Sequence, residues 1–241
     1  KKTEANRPEM EVDGLRDVDV SLTTRELGDM IKQARIQFVN LPNEEADNIL
    51  GQYTGAGAIF GATGGVMEAA LRTVADILTG QDLDDFEYQG VRGLEGVKEA
   101  SLVLPIEGKD TEVKIAVAHG TANAAKVLEA IKSGEKEYHF IEVMACPGGC
   151  VHGGGQSHVS AKARLEVNPK AKRADALYEL DKSLPLRKSH KNPEVIKLYE
   201  EYLKEPNSHI SHKLLHTHYT KRNSYEVEQQ EAYDKLMERL K

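Results

Sequence analysis

The segment that most constrains this chain runs from Glu137 to Gln156. A strand-like stretch, EYHFIEVM, leads straight into Cys146-Pro-Gly-Gly-Cys150 and then into Gly153-Gly154-Gly155-Gln156. Three residues between two cysteines let both thiols face one compact object. The glycines let backbone approach that object closely and adopt positive φ, and their N–H groups can point at anionic sulfur. These are the only two cysteines in 241 residues, which excludes a secreted disulfide framework and makes a reduced, cytoplasmic compartment the expectation. By itself the pair reads three ways: thiolate ligands of an iron–sulfur cluster, a redox disulfide, or two small buried residues. A cubane needs four protein ligands and two thiols are present. His152 and His158 could complete a mixed site, or the other ligands lie on sequence outside this chain.

Upstream, strand-like and helix-like segments alternate. Asp17–Leu22 (DVDVSL) places Val18, Val20 and Leu22 on one face. Thr23 and Glu26 form a capping box for a helix with Leu27, Met30, Ile31 and Ala34 at helical spacing. Thr63 can cap a helix whose apolar stripe is Val66, Met67, Ala70, Leu71, Val74 and Leu78, with Gly80 as its stop. Ser101–Pro105 and Thr111–Ala118 read as strands joined by the turn EGKD, and a helix through Ile131 precedes the strand that ends at the cysteines. From Arg173 onward the pattern is helical and charged, punctuated by Pro185, Pro193 and Pro206. The expected fold is α/β: a parallel-sheet lobe flanked by helices over about residues 1–165, then a helical C-terminal wrap over about 166–241.

The formal net charge of −7 argues against a general nucleic-acid or membrane-surface binder, both of which need a basic face. No apolar run reaches about 18 residues, so no membrane span is expected. The chain opens on Lys1 rather than Met, and KKTEANRPE has the character of mid-chain sequence, so the expectation is a fragment or a processed product. Among the C-terminal histidines His209, His212, His216 and His218, the i, i+4 pair His212/His216 has zinc-compatible spacing, but surface capping reads better without a nearby cysteine. Lys162, Arg164, Lys170, Lys172 and Arg173 form a basic stretch, either a solvated face or a landing site for an acidic electron carrier. The charged tail YEVEQQEAYDKLMERLK packs on the lobe or meets a partner subunit.

FIEVMACPGGCVHGGGQ, Phe140 to Gln156, resembles the third signature motif of the [FeFe]-hydrogenases, the iron-only hydrogenases. The opening KKTE resembles the end of that family's second signature, in which a cysteine lies three residues before Lys-x-x-Glu; Lys1 and Glu4 match the Lys and Glu. TGAGAIFGATGGVMEAALRT (Thr54 to Thr73), VRGLEG from Val91 and SLPLRKSH from Ser183 are similar to the family as well. Ser157 stands where the family usually has proline.

The resemblance implies the C-terminal half of a two-lobed catalytic domain that interconverts H2 with protons and electrons at an H-cluster, a 4Fe-4S cubane joined through one cysteine sulfur to a two-iron unit carrying CO, cyanide and a bridging azadithiolate. By match, Cys146 binds the cubane, and Cys150 binds it and bridges to the two-iron unit. Lys1 matches the lysine that hydrogen-bonds cyanide, a charge-assisted contact. Phe60 and Met144 match residues that pack around the two-iron unit. The first signature, the proton-relay cysteine and most relay carboxylates would lie on a missing N-terminal half, on the same or a partner chain. Ferredoxin or NAD(P)-linked redox subunits are the implied electron partners. Two other readings stand beside this one: a non-catalytic hydrogenase-like iron–sulfur protein of cluster assembly, and an H2-sensing hydrogenase.

Overall fold

The structure is a computed structural model that describes residues 7, 10–44, 47, 51–83, 88–106, 108–216 and 238. Lys1, Glu4, Glu107, His218 and all but one residue of the charged tail lie outside the described residues. The chain divides into two compact units, Lys1–Val195 and Ile196–Lys241.

The first unit opens with a minimal hairpin, β1 (Glu11–Val12) against β2 (Leu15–Arg16). Its turn is Asp13-Gly14, both at positive φ, which suits the twist of a two-residue hairpin. The expected strand at Asp17–Leu22 is not one: the segment is irregular, and Val20 and Leu22 are exposed. Apolar alternation makes a strand only where a neighbouring strand takes its N–H groups, and none flanks this stretch among the described residues. Helix α1 (Thr24–Gln33) begins at the expected capping box. The Thr23 hydroxyl accepts from the Glu26 N–H at 3.2 Å, and the Glu26 carboxylate accepts from the Thr23 N–H at 2.8 Å.

The central layer is a three-stranded sheet in the order β3-β4-β5: β3 (Val97–Ile106), β4 (Lys109–His119) and β5 (Phe140–Met144). The α/β class expected from the alternation holds. The sheet is mixed: β3 and β4 form an antiparallel hairpin, and β5 runs parallel to β4 after a crossover through α4 (Thr121–Lys132). The end of β4 is buried on both faces. Ile115 and Val117 join Met67, Leu71 and Val91 on one side, while Ala116 and Ala118 join Val127 on the other.

Helices α2 (Gly55–Ile59) and α3 (Gly65–Thr79) lie next to each other in sequence, and α5 (Ala161–Glu166), α6 (Pro169–Ser183) and α7 (Pro193–Leu198) follow the sheet. Helix α3 stops at Gly80 in a left-handed conformation, as its sequence anticipates. Its buried face differs from the expected stripe. Met67 and Leu71 are buried, but so are Glu68, Arg72 and Asp76, whereas Val74 is partly exposed. Ion pairs make this possible. Arg72 bridges Glu68 (2.6 Å) and Asp181 of α6 (2.8 and 2.9 Å), with Arg92 on Glu68 (2.7 Å) and Arg187 on Asp181 (2.6 Å). Buried charges persist only when paired in this way.

In the second unit, a π-helical turn (Tyr199–Leu203) precedes α8 (His209–Leu215), whose first turn is capped by the Ser208 hydroxyl accepting from the Ser211 N–H at 3.2 Å. Among the described residues, no helix is long and apolar enough to cross a membrane.

Candidate functional site

The cysteine loop leaves the C-terminal end of β5, where a strand on a layered sheet delivers loops to a common edge. Its first anchor is the Met144 carbonyl, which accepts from the Gly120 N–H at 2.7 Å. A tight turn then closes as the Gly149 N–H donates to the Cys146 carbonyl at 2.9 Å. Gly148 and Gly149 both sit at positive φ, +89° and +94°, and a short 3-10 turn over Cys150–His152 follows. Both cysteines are free thiols, Cys146 half-buried and Cys150 exposed.

This loop lies on a second glycine-rich loop, Gly61–Gly65, between α2 and α3. The Thr63 N–H donates to the Gly148 carbonyl (3.2 Å), and the Val151 N–H donates to the Gly61 carbonyl (3.0 Å). A methyl group at Gly149 would fall 2.7 Å from both the Gly61 oxygen and the Thr63 nitrogen. Only glycine permits that approach. The two loops place Phe60 and Cys150, each adjacent to a bonded residue, on neighbouring strips of backbone. Phe60 ends α2 and is 45% exposed; Met144 is partly buried and pairs in register with His119. Lys1 lies outside the described residues.

Thr63 does not cap α3. Gly64 occupies the N-cap, and Glu142 of β5 satisfies the helix start from across the sheet. Its carboxylate accepts from the Gly64 N–H (2.6 Å) and the Met67 N–H (2.7 Å). An anion there complements the positive end of the helix. Buried Lys98 donates to the carbonyls of Thr63 (3.2 Å) and Gly93 (3.1 Å). Burial pushes its ammonium down to about 8, against the opposing pull of Glu142 and Glu95. His119 grips the cysteine turn itself, its Nδ1 accepting from the Gly148 N–H at 3.1 Å. From α6, Arg173 donates to the carbonyls of Val151 (3.1 Å) and Ser157 (2.9 Å) and so fixes the run after Cys150.

Sequence reading missed Glu142, His119 and Lys98. The signal available was an acid, an imidazole and an ammonium placed inside otherwise apolar strands. A cavity of about 310 Å³ flanks the turn at Gly148, lined in part by Thr63, Arg92, Tyr178 and Lys182. The Thr63 and Tyr178 hydroxyls are buried there without a hydrogen-bond partner among the described residues.

Among the described residues, no three His, Cys, Asp or Glu side chains converge as a metal site. His158 pairs with Arg25, and His152 keeps a buried Nδ1 without a partner among the described residues, its pKa lowered by burial and then by Lys170, Arg173 and Arg164. His212 and His216 stack ring on ring at 4.2 Å. Among the described residues the donor set therefore fits half of a cubane: two free thiols on a turn held from three sides.

Known proteins share this sequence and fold. Residues 1–154 match the family described as "Iron only hydrogenase large subunit, C-terminal domain", and residues 167–222 match "Iron hydrogenase small subunit". Iron hydrogenase 1 of Clostridium pasteurianum is 51% identical over 92% of this chain and 38% of its own length. The NADP-reducing hydrogenase subunit HndD of Solidesulfovibrio fructosivorans is 49% identical over 92% of this chain and 36% of its own. This chain thus spans little more than a third of these curated relatives. A solved variant of [FeFe]-hydrogenase HydA1 from Chlamydomonas reinhardtii superposes with a TM-score of 0.71 and 40% identity, covering 90% of this chain and 60% of that one. At greater distance, Protein NAR1 of Arabidopsis thaliana is 34% identical over 85% of this chain and 43% of its own length.

Proposed function

We propose, from the premise that this chain belongs to the iron-only hydrogenase family, that it supplies two ligands and part of the enclosure of an H-cluster in an enzyme that interconverts H2 with protons and electrons. The observation that carries the proposal is the cysteine turn, with two free thiols on a loop whose glycines touch the Gly61–Thr63 backbone. Such a turn presents thiolates without rearrangement, which lowers the entropic cost of cluster binding.

In this reading Cys146 and Cys150 would hold the 4Fe-4S cubane, and Cys150 would also hold the two-iron unit bearing CO, cyanide and azadithiolate. The bound cofactor would supply the heterolytic H2 chemistry. The chain's residues bind and enclose. Phe60, left 45% exposed at the end of α2, and Met144, at the end of β5, exclude water from the two-iron unit. Lys1, by its match to the family's second signature, would donate to a cyanide ligand. The remaining cubane ligands and the proton relay come from sequence beyond this chain.

Ferredoxin or an NAD(P)-linked redox subunit exchanges the electrons; the relative from Solidesulfovibrio fructosivorans is an NADP-reducing hydrogenase subunit. Lys162, Arg164, Lys170 and Lys172 are the chain's contribution to steering an acidic carrier. A cytoplasmic location is part of this reading, because a chain with two cysteines and no disulfide framework suits a reduced compartment.

A likeness to the cytosolic Fe-S cluster assembly factor narfl of Xenopus tropicalis, 28% identical over 91% of this chain, supports a second reading, a non-catalytic relative that keeps the cubane cysteines. The two readings separate in one experiment on the polypeptide that carries this chain, purified without oxygen. H/D exchange between D2 and water is measured together with iron content for the wild type and for Cys146→Ala and Cys150→Ala. The hydrogenase reading expects exchange in the wild type and none in Cys150→Ala. A wild type that holds a cubane but exchanges nothing after the two-iron cofactor is added supports the non-catalytic relative.

A further inference from the structure

The turn between the two thiols is gripped at Gly148, the residue midway between Cys146 and Cys150. Its carbonyl is taken by the Thr63 N–H at 3.2 Å, and its N–H donates to His119 Nδ1 at 3.1 Å. His119 is buried at the last position of β4 and is fixed in turn. Its own N–H donates to the Gly96 carbonyl (3.1 Å), its carbonyl accepts from the Asn123 side chain (2.8 Å), and its ring Nε2 lies 3.3 Å from the Leu94 carbonyl. These partners select one tautomer. Nδ1 accepts, so the proton sits on Nε2 and donates to Leu94. A side chain 29 residues away in sequence thus sets the orientation of the peptide on which the spacing of the two thiols depends.

We propose that His119 is a positioning residue for the cluster: its neutral, Nε2-protonated ring locks the Gly148 peptide and thereby holds Cys146 and Cys150 in ligating geometry. The inference rests on the reading that these cysteines ligate a cubane. With the Gly148 N–H committed to the ring, it is not free to donate to a cluster sulfur, so the potential also depends on His119. Losing the acceptor leaves a buried N–H unsatisfied and frees the peptide to rotate.

Two substitutions separate the acceptor from the ring. An asparagine places a carbonyl oxygen near Nδ1, and a glutamine reaches toward the Nε2 position. In the anaerobically purified polypeptide carrying this chain, His119→Asn and His119→Gln are compared with the wild type. The readouts are iron and sulfide content, the rate of iron loss to excess chelator, and the cubane's midpoint potential from an EPR-monitored titration. His119→Asn keeps wild-type values. His119→Gln loses iron roughly tenfold faster, the scale expected when a buried donor loses its acceptor, and its potential moves.

Equal behaviour of the two variants, whether both match the wild type or both are impaired, overturns the proposal. So does a His119→Gln protein that fails to fold while His119→Asn folds, because the acceptor then serves the fold rather than the cluster. A wild type without a cubane removes the cluster reading along with the proposal, whereas a wild type that keeps its cluster beside indifferent variants removes the His119 role alone.

Discussion

Gly149→Ala tests whether the close approach of the two glycine loops organises the site. Gly149 has φ +94° and ψ −167°, a region essentially reserved for glycine. Holding alanine there costs about 1–3 kcal/mol in backbone strain. Its new methyl would also lie 2.7 Å from the Gly61 oxygen and the Thr63 nitrogen, both backbone atoms that cannot swing aside. Overpacking of that kind costs about 1–3 kcal/mol more. The sum is roughly 4 kcal/mol. At roughly 2–4 °C per kcal/mol for a unit of this size, the melting midpoint falls by roughly 8–16 °C.

Gly154→Ala is the internal control. It lies in the same loop, its added methyl meets nothing within 4 Å, and its φ is not positive. That change is neutral, or stabilising by about 0.4–1 kcal/mol. Circular-dichroism melts of the polypeptide under anaerobic conditions, with iron measured before each melt, give the comparison. If Gly149→Ala melts within the scatter of repeat wild-type runs and keeps its iron, the packing of the two loops does not organise the site.

Other outcomes follow from the buried charges. Arg72→Met leaves Glu68 to Arg92 and Asp181 to Arg187 and costs about 3 kcal/mol in chemical denaturation, the low end for breaking a buried pair; a loss under about 1 kcal/mol contradicts the network's role. For Asp181 and Asp76, burial alone would raise the pKa, yet hydrogen bonds from Arg72 and Arg187, and from Lys188, the Leu83 N–H and His190, bring both below the ordinary 3.8. A depressed folded pKa contributes stability above 3.8 that disappears as pH falls through the lowered value, so wild-type melts drop on acidification below 3.8 and Asp76→Asn flattens that drop. Lys98 has the opposite sense. Its folded pKa of about 8 lies below the unfolded 10.5, so its contribution to stability rises with pH between those values, and Lys98→Met loses that rise relative to wild type. Parallel pH profiles for the two proteins would place the Lys98 ammonium in solvent.

What was legible in the sequence was what is local. The Thr23/Glu26 box, the Gly80 stop and the β3–β4 hairpin depend on residues a few positions apart, and each stands where its pattern puts it. The cysteine turn was legible for the same reason. The groups that hold it were not. Glu142 reaches Gly64 across 78 positions, His119 reaches Gly148 across 29, and Arg72 reaches Asp181 across 109. No periodicity encodes such pairs, since each polar residue looks misplaced until the fold brings its partner. Thr63 shows the converse. Its type and position suit a helix cap, but the Glu142 carboxylate takes the α3 N–H groups instead. Asp17–Leu22 alternates like a strand, yet its apolar side chains find no sheet to cover. The role of Lys1 rests on resemblance alone.

In the proposed function Cys150 joins a cubane to a two-iron unit bearing CO and cyanide. An infrared spectrum of the native polypeptide carrying this chain, purified without oxygen, tests it most directly. The account predicts stretching bands of metal-bound CO and cyanide that are absent from Cys150→Ala. An iron-replete wild type with a cubane visible by EPR but no such bands, even after the two-iron cofactor is supplied, would contradict it.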